Sequence, residues 1–145
     1  MQNKLPKLIV AGAFLIKESK VLLALRTNTS SDNNYYGLIG GKIDHGEAIH
    51  TGLMREIKEE TGIIVQSKDM TLIRVIALKK EDGTEIISFD FIITEWTGEP
   101  INLEPQKHAQ LEWFSLNNLP SNILDRHKKA YELYLNNIYY SHYGW

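Results

Sequence analysis

The chain has 145 residues, with 16 lysines and arginines against 18 aspartates and glutamates and a net charge of −2. That length favours one domain around a single core across residues 1–145, and the charge balance lacks the basic excess of a nucleic-acid or anionic-membrane binder. Cysteine is absent, which excludes disulfides, thiolate metal sites and a cysteine nucleophile, and fits a reducing cytoplasm.

Lys4 and Lys7, ahead of the apolar run Leu8–Ile16, superficially resemble a short signal peptide. A buried first strand explains them better. Glu18, Ser19 and Lys20 turn the chain directly into a second apolar run, and Leu8–Ile16 with Val21–Arg26 form a hairpin pattern. No run reaches the ~20 apolar residues of a transmembrane span. Thr27–Asn34 is polar and turn-rich, and Tyr36–Ile43 is expected to be a short strand breaking into a turn at Gly40-Gly41. Ala48–Thr61 is expected to be a helix, stopped by Gly62. Gln66–Leu78 and Glu85–Trp96 follow as strands around an Asp82-Gly83 turn. A polar stretch with Pro100 and Pro105 leads to a last short strand, Leu111–Leu116, and a second amphipathic helix, Asp125–Ile138. Strands interrupted by two helices make an α/β or α+β layered domain. The aromatic tail Tyr139–Trp145 is expected to pack on its own domain or on a dimer partner.

The first helix carries the informative chemistry. Glu56, Glu59 and Glu60 stand at i, i+3 and i+4 and share a face. Ile49, Leu53 and Ile57 mark its apolar stripe, and at 100° per residue Glu60 falls between Ile49 and Leu53, with Glu56 beside them. A solvated charge run should lie opposite that stripe, so a plain acidic surface fits poorly. Like charges on adjacent turns also repel, and carboxylates are rarely buried without partners. A hard divalent cation relieves both problems, and an all-oxygen ligand set suits magnesium or manganese over zinc. Arg55 either pairs with Glu59 one turn on or is held by Glu47 near the helix start. Gly40-Gly41 is either an ordinary turn or a place where a bare backbone carbonyl approaches a metal.

These residues carry a resemblance to the Nudix box: Gly41, five residues, Glu47, seven residues, then Arg55, Glu56, Ile57, Glu59, Glu60, Gly62 and Ile63. Every fixed position is occupied. The resemblance implies an α/β/α sandwich with a mixed central sheet, and a hydrolase that cuts a nucleoside diphosphate linkage by water attack on phosphorus. It implies Mg2+, with Mn2+ able to substitute, held by Glu56, Glu59, Glu60 and the carbonyl of Gly40. It also implies a catalytic role for Glu56 as general base or base-side ligand, and Arg55 orienting the glutamates with Glu47 as its partner. Arg26, ending the second strand, matches an arginine often near substrate phosphate, although a strand-end surface charge explains it equally. Ile39 and Asp44 depart from residues common in the family's loop, which suggests altered loop shape. Glu104-Pro105-Gln106-Lys107 is similar to a metal-binding Glu-Pro-Glu-Lys segment of some family members; its second acid is Gln106 here, which leaves Glu104 as a candidate additional ligand.

Substrate markers help mainly by elimination. No proline lies between Gly62 and Pro100 and no tyrosine between Tyr36 and Tyr131, unlike many ADP-ribose and diadenosine-polyphosphate hydrolases of the family. The leading expectation is a (deoxy)nucleoside triphosphate cut to monophosphate and pyrophosphate. Alternatives are another nucleoside diphosphate derivative, such as ADP-ribose or a nucleotide sugar, and a nucleotide-binding module without turnover. Tyr35, Tyr36, Trp113 and Phe114 are candidate base-stacking residues whose ordinary role is core or rim packing.

Overall fold

The computed structural model describes residues 5–145, so Lys4 of the leader-like pattern lies outside the described residues. The long apolar run becomes β1 (Lys7–Lys17) and doubles back into β2 (Lys20–Arg26). Glu18 and Ser19 both adopt positive φ, 52° and 61°, which matches the twist of a two-residue hairpin. β3 (Tyr36–Lys42), β4 (Met70–Lys79), β5 (Glu85–Ile93) and β6 (His108–Ser115) complete most of the sheet. A seventh strand, β7 (Tyr140–Tyr143), follows the second of two helices, α1 (Ile49–Thr61) and α2 (Asp125–Leu135). The order is β6-β2-β3-β1-β5-β4-β7. β1 runs parallel to β5 and β4 parallel to β7, and the other neighbours are antiparallel, so the sheet is mixed.

Strand alternation sorts side chains onto two faces. Ala11, Ala13 and Leu15 of β1 join Leu53, Ile57 and Ile63 in the core beneath α1. Phe14 of β1 joins Leu23, Tyr36 and Ile73 in a second core beneath Ala130 of α2. The result is an α/β/α sandwich. Among the described residues no helix is long and apolar enough to cross a membrane.

Several elements differ from the sequence expectation. Gly40 and Gly41 lie inside β3, opposite Gly12 and Ala11 of β1, and do not form a turn. A Cβ at Gly40 would sit 2.1 Å from the Ala11 carbonyl oxygen, and its φ of 154° suits glycine, so these residues extend the ladder where bulk is forbidden. The Gln66–Leu78 segment starts with a 3-10 turn, Ser67–Asp69, before β4. The strand placed at Leu111–Leu116 starts earlier, at His108. α2 ends at Leu135: Asn137 takes a φ of 59°, and Ile138 lies past the helix, 44% exposed. Tyr36 and Phe114 meet edge to face at 4.8 Å, and Trp113 stacks on Trp96; these aromatics pack on one another, and Tyr35 stays exposed. The aromatic tail packs on its own sheet as β7.

Candidate active site

α1 has no side-chain cap at its start and ends at Gly62, whose φ is 78° and whose N–H donates to the Lys58 carbonyl. The following chain completes the end: Ile101 N–H donates to Thr61 O at 3.0 Å and Leu103 N–H to Glu60 O at 3.1 Å. That docking carries Glu104 alongside the helix, where its charge acts on both Glu56 and Glu60. Glu104 itself pairs with Lys107 at 3.3 Å.

The guanidinium of Arg55 is the hub of the acidic cluster. Its Nε and Nη2 donate to the two carboxylate oxygens of Glu47, both at 2.8 Å, and its Nη1 donates to Glu56 and Glu59, both at 3.1 Å. Nη2 also reaches the Lys42 carbonyl at 3.2 Å. Both readings of Arg55 therefore coexist in one side chain. The fork holds the Glu47 carboxyl down to about 2, and the carboxylates push the Arg55 guanidinium up.

Glu60 lies where the helix wheel puts it, inside the apolar side at 5% exposure. Among the described residues its one hydrogen-bond donor is the Gly40 N–H, at 3.4 Å. Burial, then the charge of Glu56, pushes its carboxyl up to about 9. Burial also raises Glu56, against the opposing pull of Arg55. Gly41 makes room for that acid: a Cβ there would stand 2.6 Å from the Glu56 carboxyl carbon. Glu59 is half exposed.

This donor set suits a hard cation. A carboxyl that is buried with one weak partner, a second beside it and a strand backbone stripped of side chains all favour a compact positive charge. Among the described residues no three acidic or histidine side chains converge within metal-ligand reach, because the Glu56 and Glu59 carboxylates are turned onto Arg55.

Arg26 lies across β3 from these acids, on the α2 face. Its Nη2 donates to Ser31 O at 3.3 Å, and among the described residues its buried Nε has no partner. It lines a groove of about 310 Å³ that also includes Gly40 and Gly41. A larger open cleft of about 620 Å³ lies past Asp32 and Arg126; the smaller groove is the one that meets the cluster, through the Gly40-Gly41 backbone against Glu60 and Glu56. Sequence reasoning missed the polar floor of this groove. Arg74 and Asp90, each 1% exposed, pair at 2.9 Å across β4 and β5, and Ser88 donates to Asp90 Oδ1 at 3.2 Å. The signal was present as one charge inside each of two apolar strands joined by a hairpin.

A family model described as NUDIX domain matches residues 6–135. An ADP-ribose pyrophosphatase of Methanocaldococcus jannaschii is 35% identical over 121 residues, covering 83% of this chain and 69% of the relative. An 8-oxo-dGTP diphosphatase of Proteus vulgaris is 33% identical over 99 residues, 68% of this chain and 86% of the relative. The crystal structure of a MutT NUDIX hydrolase from Burkholderia pseudomallei superposes with a TM-score of 0.80 at 29% identity, covering 88% of this chain and 97% of that one.

Proposed function

The chain belongs to the Nudix hydrolase family, and from that premise we propose that it cuts a (deoxy)nucleoside triphosphate to the monophosphate and pyrophosphate with Mg2+, for which Mn2+ can substitute. It is a MutT-like pyrophosphohydrolase acting on nucleoside diphosphate derivatives, and enzymes of this family use divalent metals. The observation that carries the proposal is Glu60, a buried carboxyl with one weak donor, beside Glu56 and against the bare Gly40-Gly41 backbone.

Glu56, Glu59, Glu60 and the Gly40 carbonyl would hold the metal, with Glu104 as an additional ligand. Bound magnesium neutralises the diphosphate and makes water a better nucleophile at neutral pH. Glu56, which lies beside the buried Glu60, takes the proton of the attacking water. The water oxygen bonds to phosphorus as the bond to the bridging oxygen breaks. Arg55, anchored by Glu47, keeps Glu56 and Glu59 oriented. Arg26, which lines the groove, donates from its guanidinium to a substrate phosphate oxygen.

The test is purified protein with Mg2+ or with chelator against (deoxy)nucleoside triphosphates, nucleotide sugars and dinucleotides, with products resolved. Pyrophosphate and monophosphate should form with Mg2+ and vanish in Glu59→Gln or Glu60→Gln. The M. jannaschii relative favours a second reading, hydrolysis of ADP-ribose, which the same panel detects as AMP plus ribose phosphate. Tight binding without turnover across the panel would overturn catalysis in favour of a binding module. The partner in either reading is a small nucleotide, with no nucleic acid and no membrane.

A further inference from the structure

α2 spans 11 residues and is too short to cover its face of the sheet. Val10, Gly12, Leu38 and Ile86 are left as an apolar patch of the groove floor beside the polar Ser88 and Asp90, with His127 of α2 in the wall. Gly12 keeps that floor low. A Cβ there would stand 2.9 Å from Asp90 Oδ1 and 3.1 Å from Leu38 Cδ1. An apolar patch bordered by hydrogen-bonding side chains suits a planar heteroaromatic ring.

The first turn of α2 is fixed on the sheet by two polar contacts. The buried Arg74, held by Asp90, donates from Nη2 to the Arg126 carbonyl at 2.7 Å. The Leu38 N–H donates to His127 Nδ1 at 3.1 Å, so an imidazole substitutes for a strand partner. An acceptor at Nδ1 puts the ring proton on Nε2. Burial, with Arg126, Arg74 and Arg26 nearby, keeps the ring neutral. Among the described residues Nε2 has no hydrogen-bond partner, and His127 lines the groove. His127 therefore adds to the groove wall an N–H donor in a fixed tautomer, beside the cationic Arg26 and Arg126.

We propose that the groove seats the nucleobase and that His127 determines specificity, donating its Nε2–H to a carbonyl of the base and disfavouring an amino group there. The Arg74–Asp90 pair positions His127 through the Arg126 carbonyl. This rests on the reading of the chain as a nucleotide hydrolase and adds the base class to it. Hypoxanthine and guanine carry a carbonyl where adenine carries an amino group, and a site built around a donor rejects a base that offers another donor.

The experiment compares ITP, GTP and ATP with Mg2+, using inorganic tripolyphosphate, which has no base, as each variant's reference. Wild type should favour ITP and GTP over ATP by about tenfold or more in kcat/KM, mostly through KM. His127→Asn leaves an oxygen for Leu38 N–H and loses the reach into the groove, so the preference should fall to about threefold or less. His127→Gln keeps a donor near the Nε2 position and gives up the Leu38 contact; it should retain preference and melt at a lower temperature. The proposal fails if wild type shows no keto preference, or if His127→Asn keeps it while His127→Gln loses it, the pattern of a purely structural histidine. If no nucleotide turns over, the hydrolase reading fails by itself. Equilibrium binding of the same three nucleotides to wild type and His127→Asn then decides the base preference.

Discussion

Replacing Glu60 with Gln should stabilise the metal-free protein at neutral pH while abolishing turnover. The Glu60 carboxyl is 5% exposed and burial raises it from 4.5 to about 9. A carboxyl raised on folding contributes its full stability below about 4.5, and the contribution is lost as pH rises toward about 9. At pH 7 the folded protein must hold a proton that the unfolded chain releases, which costs roughly 3 kcal/mol at about 1.4 kcal/mol per unit. Glutamine needs no such proton and keeps an acceptor for the Gly40 N–H. Its extra unpaired N–H offsets about 1 kcal/mol, which leaves a net gain of about 2 kcal/mol, or roughly 4–8 °C in melting temperature for a chain of this size. The assay is thermal melting of both proteins in chelator from pH 5 to pH 8, then with Mg2+. The advantage of Glu60→Gln should shrink toward zero at pH 5, and Mg2+ should raise the wild-type midpoint more than the variant's. Equal midpoints at pH 7 in chelator, or a difference that ignores pH, would refute the reasoning.

Gly41→Ala pushes a methyl to 2.6 Å from the Glu56 carboxyl carbon, and its three nearest atoms all belong to that flexible side chain, so kcat should fall about 100-fold with the fold intact by circular dichroism. Gly40→Ala puts its Cβ 2.1 Å from Ala11 O and should lose the native spectrum. Glu47→Gln weakens the anchor of Arg55, and kcat should drop about 10- to 100-fold. Because Glu47 is held down to about 2, its stabilisation is present above 4.5 and lost as pH falls toward 2, so this variant's acid unfolding curve should be flatter there. Arg74→Met strands a buried Asp90 and should cost about 3–5 kcal/mol in urea unfolding, most of it recovered when Asp90 becomes Leu as well.

Much of this was legible in the sequence because helix and strand periods are local. The wheel alone puts Glu60 among Ile49 and Leu53, and its burial follows from that. The Glu47–Arg55 fork and the role of Gly40 depend on which strand lies beside which. Gly40 reads as a turn until Gly12 of β1 is set against it. Arg74 and Asp90 are single charges in apolar strands, and only the β4–β5 register shows that they neutralise each other. β7 escaped notice because its four residues gain strand character from pairing with β4, and the Asn136-Asn137 break was hidden by an apolar pattern that continues to Ile138.

The bare stretch of β3 also sets how this protein can change. Successive residues there serve opposite sides: Leu38 holds His127 on one, and Gly41 yields to Glu56 on the other. Point substitutions in the groove can therefore alter which ligands fit while the acids of α1 stay untouched. An insertion or deletion of a single residue within β3 has no such freedom. It would exchange the two sides at once, turning a side chain toward Glu56 and removing the amide from His127. Length variation should therefore be tolerated in the Thr27–Asn34 loop and lethal seven residues later.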